Sequence, residues 1–383
     1  MNSIDLSEPF PVSTEDPLNA RILSVSEDKL AGFHEEPIGE IARLSGLPVA
    51  TVTARIRAML ESGTIRRVRQ TLLANDLAPG ALIAWEIPEE KLGPAFDFLI
   101  GEDPFSGHVV LRSTDSASTG SSFRLWSTLK VPQGFSLEAH CRCLAAEIGA
   151  TRHRILRAKG IFTLGVGHVR RRTLEIGAIS PARARMHRVE VRKLSLEQWK
   201  VLGALKEELQ PAEVGLGLWE ARARSIGLSR QDFVRVAREL DQMGIFGRFS
   251  TFLEHVKPLS TGERVTRFNG LFHWAIPQGR EEEAGEEIGR FEVLTHCYWR
   301  EAGPEFGNVN LMAVAHGREK DRLLLHKTAI DEHLRQFGIP VLYSNIFWGG
   351  RSEIKPSEIL PEAYRKWSHT RGIDWKTMLV GSS

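Results

Sequence analysis

The sequence predicts an α+β protein built as a tandem repeat. Each copy is a winged helix-turn-helix followed by a ferredoxin-like domain, and the two copies form an internal pseudo-dimer. Three observations predict it. First, the chain matches itself. GLPVATVTARIRAMLESGTIRRV (46–68) returns as GLSRQDFVRVARELDQMGIFGRF (227–249), and GALIAWEIP (80–88) returns as NGLFHWAIP (269–277). HVVLR (108–112) returns as HCYWR (296–300) and GIFTLG (160–165) as NIFWGG (345–350), with every offset between 181 and 189. Second, the opening part of each copy has helical periodicity with glycine stops. Third, the rest alternates strands and helices in the order β-α-β-β-α-β, an antiparallel sheet with both helices on one face.

In copy one, Asp16 caps an amphipathic start that runs to Val25. PIGEIARLS (37–45) is a second helix ended by Gly46. Val49 to Glu61 is a third, whose Val49, Val52, Ile56, Met59 and Leu60 follow a helical stripe until Gly63 stops it. IRRV then opens an extended hairpin segment. Copy two repeats the plan, with Ser229 as N-cap and Phe233, Val236, Ala237 and Leu240 as the buried stripe. Its second part predicts strand 270–276, helix 280–290, strands 293–299 and 308–315, helix 318–336 and strand 340–347. The expected domains are helix-turn-helix units at 16–78 and 193–257 and ferredoxin-like domains at 79–175 and 264–351. SPARARMHRVEVRK reads as a linker, and 352–383 as an extra tail bearing Trp367 and Trp375.

Hydrophobic residues make up 42% of the 383 residues and charged residues 26%, ordinary for a globular protein and too apolar for a disordered one. Lys plus Arg is 50 against 48 Asp plus Glu, which disfavours a protein living by non-specific phosphate binding. The balance hides a gradient. Residues 1–40 carry nine acids against two bases, whereas 152–193 carry twelve Lys and Arg against two acids. That basic stretch reads either as a solvated surface or as a platform for a polyanion. Three cysteines make neither a disulfide framework nor a four-thiolate zinc site. With no apolar leader and no run of 18 apolar residues, the expectation is a soluble, cytoplasmic protein without membrane contact.

The element order of both copies resembles the Lrp/AsnC (feast/famine) regulators. At residue level copy two is similar to a specialised branch, the siroheme decarboxylases of the alternative haem and haem d1 pathways. That branch carries a segment like GIIRRFGAVLNH, a GAMVVWDVP-like strand, S-H-C-Y-x-R, N-L and a closing H-G. This chain has GIFGRFSTFLEH (244–255), NGLFHWAIP, THCYWR (295–300) and NVNLMAVAHG (308–317). The match groups His255, His273, Trp274, His296, Tyr298, Arg300, Asn310 and His316. Copy one is degenerate: His108 and Arg112 persist, but Ala74 stands for His255, Arg124 for Asn310 and Lys130 for His316.

The resemblance implies loss of carbon dioxide from acetate side chains of an iron tetrapyrrole, with no separate cofactor and no metal beyond an axial His to the substrate iron. The substrate is a flat, apolar-faced ring edged with carboxylates. It needs Arg forks for the edge and aromatic surface for the ring. Arg248 and Arg300 are the expected anchors, with His273, Trp274, Asn310, His316, His108 and Arg112 also binding. His255 and His296 are the expected proton donors, with Tyr298 as an alternative. His296, Tyr298 and Arg300 alternate along one strand and so share a face, as do Asn308, Asn310, Met312 and Val314. Cys297 falls on the opposite face as core, and Cys141-x-Cys143 reads as helical packing. His326 and His333 are expected in solvent.

Two other readings compete. A DNA-binding regulator or haem-linked sensor would read DNA through helix 49–61 or its copy-two equivalent. The first offers Arg55 and Arg57. The second offers Arg230, Arg235 and Arg238, offset by Asp232, Glu239 and Asp241, which disfavours DNA. A non-catalytic tetrapyrrole-binding protein is the third. Self-pairing into a homodimer is a further expectation.

Overall fold

A computed structural model describes residues 10–73, 77–78, 80–164, 174–189, 191–254, 266–359 and 361–381. The chain divides into two compact units, 1–73 with 165–173 and 193–267, and 74–164 with 174–192 and 268–383. Each unit therefore draws on both sequence copies.

The first unit holds α1 (Pro17–Ser26), β1 (Leu30–Ala31), α2 (Pro37–Ser45), α3 (Val49–Glu61) and β2 (Ile65–Leu72) from copy one. From copy two come α6 (Leu196–Lys206), α7 (Leu218–Ser225), α8 (Arg230–Gln242) and β8 (Phe246–Leu253). The caps lie where the sequence puts them. Asp16 accepts from the backbone of Leu18 and Asn19 at 3.0 Å, and Ser229 from Asp232 N at 3.1 Å, each meeting a helix-start N–H that has no partner within the helix. β8 pairs antiparallel with both β1 and β2, so strands from the two copies share one small sheet.

The second unit holds β3 (Gly80–Glu86), α4 (Leu92–Gly101), β4 (Ser106–Ser113), β5 (Phe123–Lys130), α5 (Leu137–Ile148) and β6 (Arg152–Leu164). After the short β7 (His187–Arg188) come β9 (Phe268–Ala275), α9 (Glu281–Gly289), β10 (Leu294–Arg300), β11 (Leu311–Gly317), α10 (Lys320–Gln336), β12 (Tyr343–Ile354) and α11 (Pro361–Thr370). The order β-α-β-β-α-β appears twice. The strands do not remain two sheets. They run β10-β11-β9-β12-β4-β5-β3-β6, and β6 pairs back onto β10, closing a barrel-like sheet that β7 extends. The long final strands make the closure. β12 pairs β9 through Tyr343–Trp348 and β4 through Trp348–Ile354, while β6 pairs β3 and then β10. Closure leaves few open sheet edges.

Alternation sorts the side chains. Outside the second half, Phe272, Trp274, Cys297, Leu311, Ala313 and Ala315 pack under α9 and α10. Outside the first half, Ile83, Trp85, Val109, Leu125 and Leu129 pack under α4 and α5. Inside, Ala84, Val110, Trp126, Leu156, Leu271, Met312 and Phe347 from the strands meet Phe123, Phe306 and Val309 in one apolar plug. A ring of this size is about wide enough for side chains to fill.

Three expectations need correction here. The tail does not begin at 352, because β12 continues to Ile354 along β4. Beyond it, α11 joins the first half's outer core: Tyr364 stacks on Phe135 at 4.0 Å between centroids, and Trp367 meets Phe105 edge-on. The segment read as a linker adds a strand, His187–Arg188, to β6. His326 is buried and accepts from Gly177 N at 3.3 Å, and His333 lies 2.8 Å from the buried Glu287. Both sit on the inner side of α10, where helical periodicity carries them with Leu323 and Ile330. Among the described residues no helix is long and apolar enough to cross a membrane.

Candidate active site

The inner wall of the barrel carries most of the predicted groups. On β10, His296, Tyr298 and Arg300 point inward while Cys297 is fully buried outside, as alternation requires. The His296 and Tyr298 rings stack at 6.0 Å and 14°, and the Arg300 guanidinium lies 4.4 Å from the Tyr298 ring centre. His296 Nδ1 is 3.0 Å from Thr295 Oγ1. Across the ladder, His296 pairs with Val314 and Tyr298 with Met312; on the next strand His316 pairs with Asn269. His296, Tyr298, Val314, His316 and Asn269 are all half-buried, so this stretch of wall stays accessible beside the plug.

Two arginines stand out for what they lack. Arg112 donates from Nη1 to Phe347 O at 3.3 Å and to Asn269 Oδ1 at 3.5 Å. Arg300 donates from Nη1 to Leu156 O at 3.0 Å. Both are buried, and neither has a carboxylate within ion-pair distance among the described residues. Burial alone pushes Arg112 down to about 9 and Arg300 to about 10. Both remain cationic near neutral pH, and a buried cation without a counter-charge carries a desolvation penalty that a nearby anion would offset.

His273 lies deeper, 4.9 Å from the Phe347 ring and 5.9 Å from Trp126. Burial, reinforced by the positive charges of Arg112, Lys327 and Arg300, lowers its pKa to about 3. Its Nε2 has no hydrogen-bond partner among the described residues. His273 is therefore a neutral imidazole inside the plug and not a proton donor near neutral pH. In the first half, His108 Nε2 is 2.7 Å from Ser352 Oγ.

Other predicted residues fall elsewhere. Trp274 points to the outer face, where its Nε1 donates to Asp331 at 2.7 Å under the Lys327 ammonium. It alternates with His273, so the two cannot share a pocket. Asn310 precedes β11 and clips the end of β9, accepting from Ile276 N at 2.9 Å and donating to Ile276 O at 2.8 Å. Asn308 turns the chain with a left-handed φ of 59°, directly after Gly307 at 63°, so the shared face begins only at Met312. Arg248 lies in the first unit, where its Nε donates to Glu27 O at 3.1 Å and its guanidinium approaches Phe252 beside Arg69. His255 and Ala74 lie outside the described residues.

Sequence reasoning missed Asn269, although it lies on the alternation of Leu271 and His273. It also missed Tyr343, whose buried hydroxyl has no partner among the described residues. A third omission is a buried relay on the outer face of the first half. There Asp103 lies 3.3 Å from His140 Nε2, and His140 Nδ1 lies 2.9 Å from the Tyr364 hydroxyl.

The helices expected to read DNA spend their arginines internally. Arg55 donates to Asp16 at 2.6 Å and Asn19 at 2.9 Å, and Arg57 to Val214 O at 2.9 Å. Arg230 pairs with Glu36, Arg235 with Glu239 and Arg238 with Glu35. Little free positive charge is left on either helix for a phosphate backbone.

Histidines and two buried arginines thus line the inner wall of the barrel-like sheet. Residues 266–346 match the family described as the AsnC-like ligand binding domain. Over most of its length the chain is similar to siroheme decarboxylases. It is 25% identical to the siroheme decarboxylase of Hydrogenobacter thermophilus over 76% of this chain and 81% of the relative. It is also 25% identical to the siroheme decarboxylase NirDL subunit of Paracoccus pantotrophus, over 80% of this chain and 87% of that one. The fold matches the crystal structure of the siroheme decarboxylase NirDL with a TM-score of 0.63 at 19% identity, over 92% of this chain and 98% of that one. A second structure of that protein, in co-complex with an iron-uroporphyrin III analogue, matches with a TM-score of 0.62.

Proposed function

We propose that this chain decarboxylates siroheme or a closely related iron tetrapyrrole. The observation that carries the reading is a pair of buried inner-wall arginines, Arg112 and Arg300, with no carboxylate in ion-pair distance among the described residues, on the barrel that also carries half-buried His296 and Tyr298. The named activity of its relatives supports the same chemistry. The apolar plug fills the middle of the barrel. The macrocycle therefore presents a carboxylate-bearing edge to the half-buried stretch of wall and keeps its flat faces against apolar surface.

Arginine forks hold carboxylates in two-point hydrogen bonds, and the low-dielectric wall strengthens them. In the reaction the bond between the acetate methylene and its carboxylate breaks, releasing carbon dioxide. The electron pair left on the methylene is delocalised into the conjugated ring, and a proton from the protein converts it to a methyl group. His296 is the donor of choice, with Tyr298 stacked beside it as the alternative. His316 and His108 are wall residues that orient the edge. The iron belongs to the substrate, and no separate cofactor is needed because the change is redox-neutral.

The same reading treats residues 16–175 and 193–355 as two fused copies of a helix-turn-helix plus ferredoxin-like module, paired internally. Closure of the barrel within one chain removes the sheet edges that would otherwise recruit a second copy, so a homodimer is not required. The internally paired arginines of α3 and α8 disfavour DNA as a partner.

The test is anaerobic incubation with siroheme, followed by mass spectrometry of the extracted tetrapyrrole. Loss of one or two carbon dioxide units is expected. Tight binding with unchanged mass would overturn the enzyme reading in favour of a binding protein. A steep salt dependence of duplex DNA binding would favour the regulator instead.

A further inference from the structure

The two buried arginines leave their own halves. Arg112 belongs to β4 of the first half, yet its hydrogen bonds go to Phe347 O on β12 and Asn269 on β9, both in the second half. Asn269 is the register partner of His316. His316 follows Val314 on the inner face of β11, and Val314 is the partner of His296. Arg112, Asn269, His316 and His296 therefore form one continuous strip of inner wall, whose histidines come from copy two and whose cation comes from copy one.

The counterpart in the first half shares the crossing between halves but has no side-chain amide like that of Asn269. Arg300, from β10 of the second half, donates to Leu156 O on β6 of the first half. Leu156 pairs with Leu82 on β3, Leu82 with Thr128 on β5, and Thr128 with His108 on β4, while Lys130 pairs with Gly80. Under the internal repeat, His108 corresponds to His296, Lys130 to His316, Gly80 to Asn269 and Arg300 to Arg112. The repeat thus places two related strips in the barrel, and Arg112 crosses to the copy-two strip. Only one of them keeps both histidines and the Asn269 amide.

We propose that Arg112, contributed by the degenerate copy, is the carboxylate-binding residue of the copy-two strip. This rests on the tetrapyrrole reading above and deepens it. It gives copy one a reason to keep Arg112 while losing a histidine at Lys130, because the two residues serve different strips.

A double-mutant cycle on siroheme affinity, read by absorbance titration of the full-length chain under anaerobic conditions, tests the assignment of Arg112. Arg112→Gln and His316→Gln are expected each to weaken binding about tenfold, and together by at least fivefold less than the product of the two effects. Arg112→Gln with His108→Gln should multiply to within about twofold. Arg112→Lys keeps the charge and should recover part of the affinity, which a purely structural role would not produce. Circular dichroism on each variant identifies misfolded protein, and for any variant that fails this check Arg112→Lys replaces Arg112→Gln in the cycle. Coupling of Arg112 to His108 instead of His316, or effects that simply multiply in both pairs, would overturn that assignment alone. Failure of the unaltered chain to bind siroheme would overturn the functional reading, and this inference with it.

Discussion

The two halves of the barrel share an element order but have diverged on opposite faces. On the inner wall the second half keeps His273, His296 and His316 where the first has Ala84, His108 and Lys130. On the outer layer the first half acquires α11 and the relay through Asp103, His140 and Tyr364. The second half leaves Leu325 of α10 55% exposed. The halves thus differ in opposite layers, the second in its inner histidines and the first in its outer cover. Closing both into one barrel allows that division, because either wall can borrow residues from its neighbour.

The comparison breaks first on activity. His296→Ala is expected to lower siroheme decarboxylation about 10²- to 10⁴-fold, the usual contribution of a positioned general acid. His108→Ala should cost at least tenfold less. Single-turnover rates measure both, and equal losses would mean that the halves are chemically equivalent.

The outer layers differ in stability. Trp367→Ala removes a buried indole that meets Phe105 and donates to Glu102 O at 3.2 Å, so a loss of about 3–5 kcal/mol in denaturant unfolding is expected. Leu325→Ala, on the uncovered layer of the second half, should cost under about 0.5 kcal/mol.

The inner walls differ in their response to acid. His273 has a folded pKa of about 3, below its ordinary 6.5, so the unfolded chain takes up its proton first. Its contribution is complete above about pH 6.5 and is lost as pH falls from there toward 3, by about 3 kcal/mol at pH 4. His273→Leu should flatten that part of the stability profile, whereas Ala84 gives the first half no such dependence.

A smaller effect than that of His273 lies in the relay. Tyr364→Phe removes the hydroxyl facing His140 Nδ1 and should destabilise by about 1–2 kcal/mol without changing siroheme affinity. Burial alone would raise the Asp103 pKa, but His140 and the hydrogen bonds from Ser106 and Phe105 outweigh it and hold the carboxyl low. Its stabilisation is therefore present above the ordinary aspartate range and fails as pH falls through the lowered value, which the same titration reads separately in Asp103→Asn.

Much of the local structure was legible in the chain. The caps at Asp16 and Ser229, the stripe along Val49–Glu61 and the separation of Cys297 from His296 follow from periodicities that each segment carries itself. Alternation also placed His296, Tyr298 and Arg300 on one face. It could not say which face of Trp274 and His273 would be inside, since both are large and a strand offers either to its core. Nor did strand periodicity reveal that Asn310 precedes its strand, a consequence of the left-handed turn at Gly307 and Asn308.

By itself, then, the sequence determined the repeat, the order of elements within each copy and the residue types available for carboxylate chemistry, because these depend on spacings of a few residues. Only the tertiary structure decided that β6 and β12 cross between halves, that Arg112 and Arg300 each donate to a carbonyl of the other half, and that α11 belongs to the first half's core. Those features join residues more than a hundred positions apart. Their energy comes from closing sheet edges and burying apolar surface, which no local pattern encodes.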